Sequence, residues 1–444
     1  MTSDPGPPLR LSVIGLSYLG LTHAVSLAEL GHEVIGLDLD ADKVARAASG
    51  EAPFFEPGLE PMLRKNLDAG RLQFTTSYAD AAEFGDVHFL CVGTPQEADG
   101  SPDLRQVNAA ADALARHLSR PCLVVGKSTV PVGTARSLGA RITELAPAGL
   151  QAELAWNPEF LREGFAVRDS LTPDRLVFGV TSERSEQILR QVYAAPLESG
   201  VPGLFMDLET AELTKVSANA FLATKISFIN AMAEVCEKAG ADVARLAEAL
   251  AHDQRIGGRF LAPGLGFGGG CLPKDIRAFR STARALGVES VASLLGEVDT
   301  INTGRRARVV ELAREAVGGT LAERRVAVLG LSFKPGSDDV RDSPSLAVCA
   351  LLRSEGALVS AHDPVAIRNA ARVQPDISYA SSVMDAAVGA DVMLHLTEWH
   401  DYRVIDPAML REVVAQRILI DARGALDEDL WHTAGWSFRV LGRP

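Results

Sequence analysis

Residues 11–38, LSVIGLSYLGLTHAVSLAELGHEVIGLD, decide the fold of this chain. A short apolar run ends at Gly15 and is followed by a tight turn. Apolar residues at helical spacing come next, and a glycine separates them from a second apolar run that ends at Asp38. Strand, turn, helix and strand in this order predict a βαβ unit. Apolar runs after Asp86 and after Pro121 add further strands to the predicted sheet.

The same order of segments recurs near the other end of the chain. RVAVLGLSF at 325–333 resembles LSVIGLSY at 11–18, and GALVSAHD at 356–363 resembles GHEVIGLD at 31–38. Strands that alternate with helices favour parallel sheets covered on both faces. We therefore predict an α/β protein with two Rossmann-like, doubly wound parallel-sheet domains joined by a long central helix.

The middle of the chain has a different character. From Glu209 to Lys238 there is no glycine or proline, apolar residues recur at helical spacing, and Gly240 supplies a stop. Either this long helix is buried within the chain or its apolar side pairs with a second subunit; we predict a homodimer. The predicted regions are a disordered tail (1–8), a first α/β domain (9–205), a central helical region (206–317) and a second α/β domain (318–444).

Composition excludes several classes of protein. The net charge is −13, which disfavours nucleic-acid binding. No apolar run reaches the ~18 residues of a membrane span, and the start of the chain lacks a signal pattern. The five cysteines are widely spaced and include no CxxC pair, so we expect reduced thiols in the cytoplasm, with neither a disulfide framework nor a metal site.

The turn after the first strand carries a cofactor fingerprint. Gly15 and Gly20 match the first and last glycines of the dinucleotide-binding motif, whereas Ser17 replaces the middle one. Serine is small and its amide can still donate, so we expect binding to survive at this helix N-terminus. Asp38 ends the second strand, where a carboxylate accepts bonds from ribose hydroxyls and repels a 2′-phosphate. This pattern predicts NAD rather than NADP as the cofactor.

An unusual stretch, WNPEFLREG, occupies residues 156–164. Asn157 can cap a helix and Pro158 suits its first position. Glu159 and Glu163 would then share one face of that helix. They are either functional carboxylates or the solvated start of an ordinary helix.

Two further stretches suggest chemistry. Lys215 and Asn219 share one helical face among small and apolar neighbours, so they form either a buried polar pair or an exposed surface of an amphipathic helix. Five glycines between residues 264 and 270 would wrap a ligand better than they would form a helix or strand. Cys271 follows them at the start of a helical run and beside Lys274, a setting that favours its thiolate. We expect the other four cysteines to be buried and inert.

Together these motifs resemble the UDP-glucose/GDP-mannose dehydrogenase family, most closely its UDP-glucose-oxidising members. The matching segments, spread over residues ~10–430, are GLSYLG, STVPVGT (128–134), NPEFLREG (157–164), ELTKVSAN (212–219), GFGGGCLPKD (266–275) and LGLSFKPGSDDVRDSP (329–344). Two positions depart from the family pattern: Ser17 stands for the usual glycine, and Gly270 stands where serine commonly precedes the nucleophile.

The resemblance implies a four-electron oxidation of a sugar C6 alcohol to a carboxylate with two NAD molecules. An aldehyde cannot readily donate a second hydride until a nucleophile makes it tetrahedral, and the implied nucleophile is Cys271. Lys215 and Asn219 would stabilise the oxyanion. The implied catalytic set is Cys271, Lys215, Asn219, Asp275, Glu163 as general base and Thr129, with Glu159 positioning Glu163.

The resemblance also implies two binding sets, and it leaves the C-terminal domain as a dinucleotide fold that now binds the nucleotide sugar. The cofactor set is Gly15, Ser17, Leu19, Gly20, Asp38, Lys43, Thr94, Thr129, Glu163, Lys274 and Arg341. The substrate set is Glu159, Phe160, Leu161, Arg162, Glu163, Lys215, Asn219, Arg255 (reaching the neighbouring subunit's site), Phe260, Leu261, Ala262, Pro263, Gly264, Gly268, Phe333, Lys334 and Arg423.

The sequence leaves alternatives for both the substrate and the class of protein. UDP-glucose is the favoured substrate, whereas dTDP-glucose and GDP-mannose are the competing nucleotide sugars. A two-electron β-hydroxyacid dehydrogenase would share the NAD domain and the long helix but needs no cysteine after a glycine run. A non-catalytic nucleotide-sugar-binding protein is disfavoured because the full implied catalytic set is present.

Overall fold

The computed structural model describes residues 7–97 and 99–443. The chain divides into two compact units, Met1–Ala218 and Asn219–Pro444. The predicted tail at residues 1–8 falls outside the described residues except for Pro7 and Pro8, which are exposed. Within the described ranges, no helix combines the length and the apolar character that crossing a membrane would require.

The first unit is built on one large sheet. Its described strands are β1 (Arg10–Ile14), β2 (Glu33–Leu37), β3 (Leu72–Thr75), β4 (Val87–Leu90), β5 (Cys122–Gly126), β6 (Ala152–Trp156), β7 (Leu176–Gly179) and β8 (Gly203–Met206). Their order across the sheet is β3-β2-β1-β4-β5-β6-β7-β8, and the pairing is parallel except between β6 and β7. The first six strands have the order of a dinucleotide-binding fold.

Helices cover both faces of this sheet. They are α1 (Tyr18–Glu29), α2 (Ala41–Ala48), α3 (Leu59–Asp68), α4 (Tyr78–Phe84), α5 (Arg105–Ala115), α6 (Thr134–Leu145), α7 (Ala166–Leu171), α8 (Glu183–Val192) and α9 (Ala194–Glu198), with a 3-10 turn at Gly149–Gln151. Successive strand residues point to opposite faces. Val13 therefore packs into one core cluster with Leu21, whereas Ile14 packs into another with Val107.

A single long helix, α10 (Leu208–Ala239), begins in the first unit and ends in the second. The sequence predicted it over Glu209–Lys238, one residue shorter at each end. It ends before Gly240, whose φ of +73° is the left-handed conformation that commonly stops a helix.

The second unit contains a smaller, wholly parallel sheet. Its described strands are β9 (Arg325–Leu329), β10 (Leu358–His362), β11 (Ser378–Tyr379), β12 (Val392–His395), β13 (Ile418–Asp421) and β14 (Ser437–Val440), in the order β11-β10-β9-β12-β13-β14. Its helices are α11 (Val243–Ala251), α12 (Leu272–Ala285), α13 (Glu289–Ala316), α14 (Pro344–Ser354), α15 (Ile367–Val373), α16 (Val383–Ala387), α17 (His400–Arg403), α18 (Pro407–Leu410) and α19 (Glu428–Thr433).

Counted from its own first strand, the second sheet repeats the order of the first six strands of the large sheet. The two sheets and the long helix confirm the predicted fold class. The acid that ends the second strand differs between them. Asp363 is 1% exposed and accepts hydrogen bonds from the amides of Leu331, Ser332, Val365 and Ala366. Its counterpart Asp38 keeps part of its surface exposed, so only the first sheet presents this acid to a ligand.

Candidate active site

The cofactor turn has the geometry that its sequence predicts. Gly15 has a φ of +95°, and a side chain on Gly20 would overlap the Gly15 carbonyl oxygen, so both positions need glycine. Ser17 caps α1 with an ordinary φ of −74° and makes no side-chain cap hydrogen bond. The backbone therefore does not need glycine at position 17. The exposed Ser17 sits where the amides at the start of a helix favour an anionic group such as a diphosphate.

Asp38 is held ready at the end of β2. One carboxylate oxygen accepts the Leu16 amide at 2.8 Å, and the other accepts the Asp40 amide at 3.0 Å. The Lys43 ammonium lies 3.6 Å away, and the Asp38 side chain is 14% exposed. Asp38 and Lys43, both predicted cofactor residues, are thus in contact. With the glycine turn, they fit the ribose and diphosphate of NAD.

The loop with Thr129 is fixed from two sides. The Thr94 hydroxyl donates to the Thr129 carbonyl oxygen at 2.9 Å. The carboxylate of Glu212, in α10, accepts the amides of Gly133 at 2.7 Å and Ala135 at 2.6 Å, at the start of α6. Burial raises the pKa of Glu212 to about 7, against the opposing effect of these two amides. Glu212 therefore joins α10 to the Thr129 loop.

The segment 157–164 is not a helix, contrary to the prediction that Asn157 caps one; α7 begins only at Ala166. Asn157 is buried and its side chain is used elsewhere. Its amide oxygen accepts from Lys127 at 2.9 Å and from Tyr193 at 2.6 Å, and its amide nitrogen donates to the Val177 carbonyl. Because residues distant in sequence occupy the Asn157 side-chain oxygen, it cannot cap a helix. Residues 157–164 therefore form a loop, and Glu159 and Glu163 do not share the face of a helix.

The side chains of this loop point to different partners. Glu159 accepts the Leu161 amide and lies 3.6 Å from the Lys127 ammonium. The Phe160 ring contacts both the Arg175 guanidinium, 4.2 Å from its centroid, and the Lys215 ammonium, at 5.3 Å. Of the predicted residues, Phe160 therefore contacts Lys215, whereas Glu159 faces Lys127.

A buried carboxylate fixes the end of the 157–164 loop by accepting hydrogen bonds from its backbone. Glu56 is 6% exposed, and its carboxylate accepts the Tyr18 hydroxyl and the amides of Gly164 at 2.8 Å and Ala166 at 2.7 Å. Burial, followed by Glu56 and Glu163, raises the pKa of Tyr18 far above its usual range. The general-base candidate Glu163 thus lies close to the first residue of α1. Arg162, also predicted as a substrate residue, is exposed and pairs with Asp169 at 2.5 Å.

Lys215 and Asn219 are both buried, at 8% and 7% exposure, which confirms the buried reading of this part of α10. The Asn219 amide donates to the Asp275 carboxylate at 2.7 Å, and the Lys274 ammonium lies 2.9 Å from the other oxygen of Asp275. Asp275 is 2% exposed. A buried carboxylate with these two partners is suited to orienting polar groups next to the cysteine.

Cys271 has the setting of a reactive thiol. It is the exposed member of the five cysteines and the N-cap of α12, a 14-residue helix whose amide dipoles favour a thiolate. The other four are buried, as predicted. Burial raises the pKa of the Cys91 and Cys349 thiols to about 12, which keeps them protonated.

The glycine run packs closely against other segments of the second unit. A side chain on Gly268 would overlap the Asp342 carbonyl oxygen, and one on Gly264 would lie 2.9 Å from the Ala422 carbonyl oxygen. Just before the run, Phe260 is exposed and has a φ of +64°, a strained conformation for a bulky residue. Of the remaining collar residues, Leu261 is buried, Ala262 is exposed and Pro263 is partly buried.

Four predicted cations of the second unit, three for the substrate (Arg255, Lys334 and Arg423) and one for the cofactor (Arg341), have contacts within that unit. Arg423 donates to the carbonyl oxygens of Leu396 at 2.7 Å and Gly266 at 3.0 Å, so it ties the glycine run to the second sheet. The Lys334 ammonium lies 5.4 Å from the centroid of the neighbouring Phe333 ring. Arg341 pairs with Asp339 at 2.6 Å, and Arg255 pairs with Asp253 at 2.6 Å.

Sequence reasoning missed three buried charged residues: Glu56, Lys127 and Glu212. Each contacts a predicted site loop through a partner distant in sequence, 110 residues away in the case of Glu56 and Ala166. Lys127 carried one usable signal, because a lysine at the end of an apolar strand run is expected to have a partner.

The turn, Asp38 and the βαβ order define a dinucleotide-binding domain suited to NAD. Three family models match in sequence: the NAD-binding domain of the UDP-glucose/GDP-mannose dehydrogenase family at residues 9–196, its central domain at 209–304 and its UDP-binding domain at 327–428. The chain belongs to this family. The predicted family and its NAD cofactor are thereby confirmed.

Similar proteins span the same length. The chain is 39% identical over 436 residues to the UDP-glucose 6-dehydrogenase YwqF of Bacillus subtilis, and 40% identical over 449 residues to a UDP-glucose 6-dehydrogenase of Pseudomonas aeruginosa, covering 98% of each chain. A solved UDP-glucose dehydrogenase of Pyrobaculum islandicum aligns over 100% of both chains, with 38% identity and a TM-score of 0.92.

Proposed function

We propose that this enzyme oxidises UDP-glucose at C6 to the uronic acid, using two NAD per sugar. The observation that carries the proposal is Cys271, an exposed thiol at the N-terminus of a helix and four residues before the buried Asp275. A two-electron alcohol dehydrogenase has no use for such a nucleophile. The similarity to enzymes named UDP-glucose 6-dehydrogenase supports the choice of sugar.

The chemistry assigned to the protein begins after the first oxidation has produced an aldehyde. The Cys271 thiolate adds to the aldehyde carbon, forming a C–S bond and a thiohemiacetal oxyanion. Bound NAD supplies the hydride acceptor for each of the two oxidations. Loss of the second hydride leaves a thioester on Cys271, which water cleaves to the carboxylate and the free thiol.

The remaining residues divide this work. The buried Lys215 ammonium and Asn219 amide suit stabilisation of the oxyanion. Glu163 is proposed as the general base for thioester hydrolysis, with Glu159 positioning it. Asp275 and Thr129 would organise water and assist proton transfer. The Asn219–Asp275 hydrogen bond supports this grouping because it joins two members of the set.

For the nucleotide, we propose that the second sheet binds the UDP group. Burial of Asp363 by its own chain supports this, because that sheet has lost the acid that recognises a dinucleotide ribose. The Phe260–Gly264 backbone and Gly268 would border the site, with Phe333, Lys334 and Arg423 beside the diphosphate. In this proposal, residues 9–205 bind the cofactor, residues 206–317 form the central region and residues 318–444 bind the nucleotide sugar.

We further propose a homodimer formed through α10. Phe221, Phe228 and Val235 recur every seven residues on this helix and are 67%, 49% and 56% exposed. An apolar stripe at heptad spacing is suited to pairing with a second copy. Phe228→Asp should then yield monomers in sedimentation velocity, whereas Leu150→Asp, at the more exposed Leu150 (85%), should leave the dimer intact. A dimeric Phe228→Asp protein would contradict this interface.

The cysteine chemistry also bears on location. A catalytic thiol must stay reduced, which suits the reducing conditions of the cytoplasm, and we place the enzyme there.

The test is a panel of UDP-glucose, dTDP-glucose and GDP-mannose scored by NADH released per sugar consumed. We expect two NADH with UDP-glucose and the highest kcat/KM for it. Cys271→Ser should lower turnover by roughly a thousandfold and leave NAD binding intact. One NADH with accumulation of an aldehyde would refute the four-electron reaction, and a higher kcat/KM with another sugar nucleotide would refute the substrate.

A further inference from the structure

Lys127 is a buried cation with no part in the reaction proposed above. It follows β5 and immediately precedes the Thr129 loop, and its side chain is 5% exposed. Removing an ammonium group from water is costly unless an anion and hydrogen-bond acceptors replace the solvent. The partners of Lys127 therefore indicate what this cation is for.

Those partners lie on the NPEFLREG loop. The Lys127 ammonium donates to the Asn157 side-chain oxygen at 2.9 Å and lies 3.6 Å from a Glu159 carboxylate oxygen. The Tyr193 ring is 6.0 Å away. Among the described residues, Glu159 is the carboxylate within ion-pair distance of this cation.

The other groups around Lys127 do not offset its charge. His23 and Cys91 both lie close enough to feel it. Burial, and then Lys127, lowers the pKa of His23 well below its usual range, so the ring is neutral. Burial raises the pKa of Cys91 to about 12, so that thiol is also neutral at physiological pH. The charge of Lys127 is thus directed at Glu159.

The Glu159 side chain needs contacts that fix its conformation, because the residue lies on a loop. One of its carboxylate oxygens accepts the Leu161 amide, and the other faces Lys127. Two contacts from different directions fix both the position and the plane of the carboxylate. A side chain of this length would otherwise sample several rotamers, at a cost in productive geometry.

Building on the proposed function, we propose that Lys127 is a positioning residue that fixes the Glu159 carboxylate for the oxidation of the sugar. It acts through Glu159 and does not touch the substrate. The Asn157 oxygen that accepts from Lys127 also accepts, separately, from the Tyr193 hydroxyl at 2.6 Å, and the Asn157 amide nitrogen is anchored on the Val177 carbonyl, so loss of the Tyr193 donor leaves the Lys127 contact in place.

A double-mutant cycle tests this assignment. We expect Lys127→Met to lower kcat by about 10- to 100-fold while the KM for NAD changes by less than about twofold. Adding it to Glu159→Gln should slow that variant by no more than about twofold, because the two residues act as a unit. Lys127→Arg, which keeps the cation, should recover most of the loss. Tyr193→Phe removes the other donor to Asn157 and should keep near-wild-type kcat.

Three results would overturn the proposal: independent, multiplicative effects in the cycle, an unchanged kcat in Lys127→Met, or an equal loss in Tyr193→Phe. A crystal structure of Lys127→Met, or of Lys127→Arg if the former does not fold, adds a readout independent of turnover. We expect the Glu159 carboxylate to be displaced in Lys127→Met and to keep its position in Lys127→Arg. The opposite result in either variant refutes the positioning role. Wild-type enzyme that consumes no nucleotide sugar would refute the proposed function instead, because the crystallographic comparison still decides what Lys127 does.

Discussion

Replacing Glu212 by glutamine should change how the stability of the enzyme depends on pH. Glu212 is 2% exposed, and its carboxylate accepts the amides of Gly133 and Ala135. Burial raises its pKa from an ordinary 4.5 to about 7. Between these two values the folded protein binds a proton that the unfolded chain does not. The stabilisation is therefore complete below about pH 4.5 and is lost as the pH rises through about 7.

The magnitude follows from the same two values. The two pKa values differ by about 2.5, and each pKa unit is worth about 1.36 kcal/mol. The full difference therefore corresponds to roughly 3 kcal/mol of unfolding free energy. Glutamine keeps one acceptor oxygen and does not titrate. For a unit the size of Met1–Ala218, 1 kcal/mol shifts the melting temperature by about 2–4 °C. About 2.5 kcal/mol of this change falls between pH 5 and 8, so over that range the wild type should lose roughly 5–10 °C relative to Glu212→Gln.

Differential scanning calorimetry of both proteins at several pH values between 5 and 8 measures this difference. Glu209→Gln is a matched control one turn earlier in α10. Its hydrogen bond with Arg136 lowers the pKa of Glu209, so that carboxylate stays ionised throughout the range and its offset should be constant. A melting-temperature difference between wild type and Glu212→Gln that does not vary with pH would refute the argument from burial.

Three further outcomes are expected from single substitutions. Gly20→Ala forces a methyl group onto the Gly15 carbonyl oxygen and should weaken NAD binding by more than tenfold in calorimetric titration, whereas Gly139→Ala, which has room in α6, should bind normally. Gly270→Ser would displace the Arg341 guanidinium, but that side chain is flexible, so the melting temperature should change by less than about 2 °C. Iodoacetamide should alkylate native wild-type protein at one site, identified by peptide mass spectrometry as Cys271, and native Cys271→Ser should stay unlabelled.

The backbone plan was predictable because it rests on local patterns. Apolar runs, glycine stops and helical spacing gave the βαβ units and α10 to within a residue at each end. The exposure of Cys271 followed from its place after a glycine run and before a helix. These signals lie within a few residues of the feature that they describe.

The failures came from contacts between distant segments. The pattern at Asn157 suited a helix cap, but Lys127 and Tyr193 occupy its side-chain oxygen. Glu56 and Glu212 likewise serve loops that are far from them in sequence. No periodic pattern in a single sequence predicts such pairs, because the two residues come together only when the sheet has folded.

The six donors around Asp363 show that one architecture can use the same acid in two different ways. Besides four amides, the Ser332 hydroxyl and the Trp399 indole point at this one carboxylate. The acid that the first sheet leaves partly exposed is, in the second sheet, fully engaged by its own chain. Grafting a glycine-rich turn onto the second sheet would therefore not by itself give that sheet affinity for a dinucleotide. A protein engineer would first have to release Asp363, and would lose the loops that it now secures.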